Sequence, residues 1–204
     1  MAKLLEEIQP QAFELVRDRI ADVLAEEIAA QLDFTGDFSD DFNAEGIDIY
    51  CERSIPFDKT ELPAINVQLA KGDYNNEDAK FSDGNYVYNI DVYTSSKSTE
   101  DDQGDRLATL KLHKLIGVCR AILKAPVYRT LGFQAPFIMR VTCGEFSIAE
   151  TTKQDTLHTA MGRLLFNVRV PENVELQVAK VINGYETKWK IAESDKGYIT
   201  IGGI

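Results

Sequence analysis

An aspartate on a strand followed downstream by a Glu-x-Lys triplet is a pairing from which metal-dependent nucleases can be assembled. This chain contains both parts: Asp91, within an alternating segment, and Glu186-Thr187-Lys188 near the C-terminal end. The two carboxylates would hold a magnesium ion, and the lysine would stabilise developing charge. Against this, Glu-x-Lys triplets arise readily by chance and the parts are far apart in sequence. An acidic surface would also oppose the approach of DNA. A second candidate is the run from Asp33 to Glu45, where Asp33, Asp37, Asp40, Asp41 and Glu45 occur without a basic residue. Oxygen ligands for calcium cluster this way, but the run lacks the D-x-[DN]-x-[DN]-G spacing with its distal glutamate. Phe34, Phe38 and Phe42 recur every four residues within it, so a short helical turn or docked loop is expected instead.

Other chemistry finds little foothold. No phosphate-cradling glycine loop and no G-x-S-x-G elbow occur. The two histidines have no paired spacing: His113 falls on a polar helix face and His158 in a polar connector, TTKQDTLHT. Cys51, Cys119 and Cys143 are odd in number and never at a metal-ligand spacing, so they read as small buried hydrophobes in a reducing compartment. No catalytic residue, metal ligand or cofactor is assigned, and the chain reads as a non-enzyme.

At 204 residues, 44% hydrophobic and 27% charged, the chain can build one domain with a real core and an appendage. Its formal net charge of −11 argues against a general grip on duplex nucleic acid, which requires clustered Lys and Arg. No apolar run approaches the roughly 20 residues of a membrane span. The N-terminus leads into an acidic amphipathic helix, unlike a signal peptide. A soluble protein made inside the cell is expected.

The elements that must position any site follow from periodicity. Phe13, Val16, Ile20, Val23 and Leu24 form the stripe of a helix from about Pro10 to Leu32, with Asp18, Asp22 and Glu26 opposite. Ile47–Glu52 and Ala64–Ala70 alternate as strands, separated by a Pro-punctuated loop. Lys71–Gly84 reads as a long polar hairpin loop, leading to the strand Tyr86–Thr94. After an acidic break, Ala108, Leu112, Leu115, Ile116, Cys119, Ile122 and Leu123 mark a long helix, with Arg106, His113, Arg120 and Lys124 pointing away. Phe137, Met139, Val141 and Cys143 alternate, and the apolar parity then passes to Phe146 and Ile148, which predicts a bulge near Gly144. Leu164, Phe166, Val168 and Val170 form a further strand with polar residues between them. The expected fold class is α+β: a mainly antiparallel β-sheet with two long helices packed on one face, plus a C-terminal β-hairpin arm. The expected division is residues 1–171 for the α/β domain and 172–204 for the arm, which turns at Asn183-Gly184.

This layout resembles the tail terminator (tail completion, minor tail protein U-like) proteins of tailed bacteriophages. The likeness is carried by the amphipathic opening Phe13–Leu32, the segments GIDIYCERSIPF, ELPAINVQLA and YVYNIDVYT, the helix LATLKLHKLIGVCRAIL and VYRTLGF, over about residues 11–171. It implies a structural virion protein in the tail or neck, assembled in the host cytoplasm. Such a protein caps the tail tube as a hexameric ring and forms the docking surface for the head-tail connector. The implied partners are copies of itself, the tail tube protein and the connector, with no membrane, and DNA passes through the lumen without specific binding. Another neck or head-completion adaptor is the nearest alternative. In such a ring Asp37, Asp40, Asp41, Asp101 and Asp102 are candidate lumen or interface acids, and Tyr74, Phe81, Tyr185 and Trp189 candidate inter-subunit or partner contacts.

Overall fold

In the computed structural model the alternating segments become strands and the helical-period segments helices, in the order α1 (Ala12–Leu32), α2 (Asp37–Phe42), β1 (Asp48–Cys51), β2 (Ala64–Asn75), β3 (Asp83–Lys97), α3 (Gly104–Lys124), β4 (Arg140–Ile148), β5 (Thr152–Gln154), β6 (Leu157–Pro171), β7 (Glu186–Lys190) and β8 (Tyr198–Gly202). The structure describes residues 10–43, 45–75, 83–149, 151–154, 156–172, 186–190 and 198–202. Two compact units result, Met1–Asn173 and Val174–Ile204.

In the first unit the strands run β1-β2-β3-β6-β4 across one sheet, with the short β5 also paired to β6. Only the β1–β2 pair is parallel; the other ladders are antiparallel, so the α+β class holds. One sheet face is apolar because the parity of each strand sends its hydrophobes the same way. Tyr86, Tyr88, Ile90 and Val92 of β3 meet Ile65 and Val67 of β2 and Leu164, Phe166 and Val168 of β6, all buried. The α3 stripe closes over β3 and β6, and every one of its seven apolar residues named from the sequence is buried. The buried Val16, Ile20, Val23, Leu24 and Ile28 of α1 join the same core.

Polar anchors fix the helices on this apolar sheet. The Tyr88 hydroxyl donates to the Phe13 carbonyl at 2.8 Å, and Thr94 Oγ1 donates to the Ala108 carbonyl at 2.8 Å. Gly162 lies directly beneath α3: a Cβ there would come within 2.4 Å of Ile116 Cδ1. Burial holds both core tyrosines far above the ordinary phenol range, with the Glu172 hydrogen bond adding to the effect at Tyr86.

Several sequence-derived boundaries move. Helix α1 begins at Ala12 because the Glu14 carboxylate reaches back to the Gln11 N–H at 2.7 Å, which makes Gln11 the cap. Where it is described, the expected loop Lys71–Gly84 is ladder: pairing continues from Lys71↔Val87 to Asn75↔Asp83, and residues 76–82 lie outside the described residues. Cross-strand pairing there outweighs polar composition, a weak predictor of loops. The connector carrying His158 is likewise strand, since His158 pairs with both Lys153 and Ser96. The bulge expected near Gly144 is present, as a register shift between Cys143 and Phe146.

In the second unit β7 and β8 form a two-stranded antiparallel sheet, from Glu186↔Gly202 to Lys190↔Tyr198. The Asn183-Gly184 turn lies outside the described residues.

Candidate functional site

Asp91 stands on the polar face of β3, opposite Arg163 of β6 in the register. The guanidinium grips both carboxylate oxygens, Nε to Oδ1 at 2.6 Å and Nη2 to Oδ2 at 2.8 Å. Asp91 is only 2% exposed, while Arg163 reaches solvent. A two-point fork of this kind satisfies the carboxylate and fixes its orientation. It occupies the oxygens that a metal ion would need, so the geometry favours a structural ion pair. Glu186 and Lys188, the other parts of the nuclease pattern, belong to the second unit. Among the described residues no group of three or more His, Cys, Asp or Glu side chains is gathered to hold a metal.

Beside this pair, the segment between β1 and β2 is strapped to the polar sheet face. Buried Asn66 exchanges two hydrogen bonds with the Arg53 backbone, at 3.1 and 2.8 Å, and Gln68 donates to the Arg53 carbonyl at 2.7 Å. The Arg53 side chain bonds Glu61 at 2.7 Å and lies over the rings of Tyr50 and Phe57. Phe57 in turn meets Tyr93, with ring centroids 4.8 Å apart. The Arg53 hydrogen bond, joined by the Asp58 N–H, holds the Glu61 carboxyl below its ordinary value. A cleft of about 400 Å³ remains between this strap and the Asp91–Arg163 pair. Of its lining, Asp91 is engaged by Arg163 and Gln68 by the Arg53 backbone, which braces this surface.

The acids singled out from the sequence fall in two places. Asp37, Asp40 and Asp41 are on α2, which the Lys111 and Lys114 side chains of α3 hold through Glu45 (3.1 Å) and Asp41. Asp101 and Asp102 lie in the turn before α3, where Asp102 pairs with Arg106. The Arg106 and Lys114 anchors are about two helical turns apart, so the structure does not merge the five into one cluster. Tyr74 is exposed at the end of the β2–β3 ladder and its ring meets Tyr86 edge-on. Trp189 pairs with Ile199 in the second unit. Phe81 and Tyr185 lie outside the described residues.

The cysteines divide. Cys119 is buried in the α3 stripe, as its position in the pattern requires, and burial pushes its thiol up to about 12. Cys143 is half-buried. Cys51 is exposed, contrary to expectation, because β1 is a sheet-margin strand and Cys51 ends it.

What sequence reasoning missed is the status of β4. The order of strands makes it one margin of the sheet, opposite β1, and among the described residues it pairs only with β6. Met139 just before it (53%) and Phe146 (53%) and Ile148 (41%) along it stand exposed. Their alternation marked a covered face; nothing in the spacing showed that α3 stops short of it. A sheet-margin strand with exposed apolar side chains is a surface suited to another protein. Compared with known proteins, the chain matches no family model and no curated sequence.

Proposed function

We propose that this protein is a structural subunit of a bacteriophage tail: a terminator that closes the tail tube as a ring, hexameric as the resemblance implies, and presents the docking surface for the head-tail connector. Its place is the virion tail or neck, after assembly in the host cytoplasm, and it carries out no reaction of its own. One observation carries the reading: the β4 margin of the sheet, with exposed Met139, Phe146 and Ile148. A ring requires each subunit to expose a surface that a neighbour covers, and three large apolar side chains at a strand paired along one side only among the described residues meet that need. The resemblance over residues 11–171 supplies the assembly, and the α+β layout of the first unit is compatible with it. The net charge of −11 suits a lumen through which DNA slides without adhering. No helix among the described residues is long and apolar enough to cross a membrane.

The test is negative-stain microscopy of the purified protein mixed with tail tubes that lack a terminator. Density closing one end of each tube supports the proposal; bare tube ends at saturating protein would refute it. The competing nuclease predicts magnesium-dependent DNA cleavage lost in Glu186→Ala, and Asp91, held by Arg163, gives it no support.

A further inference from the structure

A groove runs between α3 and the β4 edge. One stretch, of about 560 Å³, is lined by His113, Ile116, Gly117, Arg120, Glu145 and Phe146. The next, of about 550 Å³, lies against Leu123, Lys124, Arg129, Val141 and Cys143. Its floor is apolar and its rim basic, with Glu145 the acidic exception. Arg120, Lys124 and Arg129 form no ion pair among the described residues, whereas Arg17, Arg19, Arg53, Arg106, Lys111, Lys114, Arg163 and Arg169 do. Three unpaired cations gathered on one groove, in a chain of net charge −11, call for an acidic occupant.

The chain carries such a segment. Phe34 is 66% exposed between α1 and α2, flanked by exposed Asp33 and Asp37, with Asp40 also exposed on α2. Lys111 and Lys114 neutralise Glu45 and Asp41 and leave Asp33, Asp37 and Asp40 without an ion pair among the described residues. The segment and the groove occupy different flanks of α3. At about 100° per residue, Lys111, which faces α2, and Arg120, which lines the groove, are half a turn out of phase. One copy therefore cannot bring its own segment into its own groove.

We infer that the α3–β4 groove of one subunit receives the Asp33–Asp40 segment of a second copy, with Phe34 on the apolar floor and the aspartates against Arg120, Lys124 and Arg129. The two surfaces differ, so the contact is head-to-tail and can propagate until a ring closes. The inference rests on the ring reading above and names its interface.

Reciprocal charge reversal tests it, read by sedimentation velocity at low salt. The wild type self-associates. Arg120→Glu/Lys124→Glu and Asp33→Lys/Asp37→Lys each weaken association at least about tenfold, as reversal of facing charges should. Circular dichroism confirms folding, which these exposed positions should leave intact. Mixing the two variants, or combining all four changes in one chain, restores association. Association untouched by the reversals overturns the inference, as does loss that neither mixing nor combination restores, or a wild type that stays monomeric. The reversal variants are also added to tail tubes. Tube ends still capped by them refute this contact and leave the terminator reading standing; bare tube ends with the wild type refute both.

Discussion

Removing one member of the Asp91–Arg163 pair does not have the same consequence from either side. Asp91 is buried and Arg163 partly exposed. Arg163→Ala strands a buried carboxylate and should cost about 3 kcal/mol or more. Asp91→Ala frees a guanidinium that can turn to water, and should cost about 1–2 kcal/mol. Urea unfolding of the two variants measures the difference; equal losses would mean that the fork is not the source of stability. The thiols give a second test. Cys51 should react first with an aromatic disulfide reagent, Cys143 more slowly, and Cys119, buried with its thiol raised to about 12, only on unfolding.

The Arg53–Glu61 strap has a pH dependence of definite sign. The folded state lowers the Glu61 carboxyl from its ordinary 4.5, chiefly through the Arg53 hydrogen bond. The contribution is therefore full above that value and is lost as pH falls through the folded one. The melting-temperature gap between wild type and Glu61→Gln should be constant near neutrality and shrink below about pH 4.5. A gap that widened on acidification would contradict the assignment.

At the scale of elements, the seat of α3 on the sheet is decided at Gly162. Gly162→Ala drives a methyl into Ile116 Cδ1 and should destabilise by about 1–2 kcal/mol, with Ile116→Val recovering part of the loss in a double-mutant cycle. Full additivity would show that the two residues are not in contact. The same element shows what could be read in advance. A stripe at helical spacing must be buried somewhere, so all seven α3 positions were legible, as was the bulge where parity switches after Cys143. The register that sets Asp91 opposite Arg163, and the strand order that puts β4 at a sheet margin, were not. Both depend on contacts distant in sequence, and alternation shows which residues share a face without showing which strand lies alongside. Composition misled at Lys71–Asn75 for a similar reason: a polar strand pairs through its backbone, to which residue type is a weak guide.

For the molecule as a whole, a net charge of −11 goes with a groove whose Arg120, Lys124 and Arg129 form no ion pair among the described residues, and the β4 margin carries exposed apolar side chains. Both suit contact with a neighbour, whereas the buried polar pair at Asp91 is complete within the chain. On this account the protein acts by shape and charge, through copies of itself and a tube. The most direct measurement is electron microscopy of terminator-deficient tail tubes incubated with the purified protein. The account predicts a ring of density at one end of each tube, with a central hole. Tubes whose ends remain bare at saturating protein would contradict it.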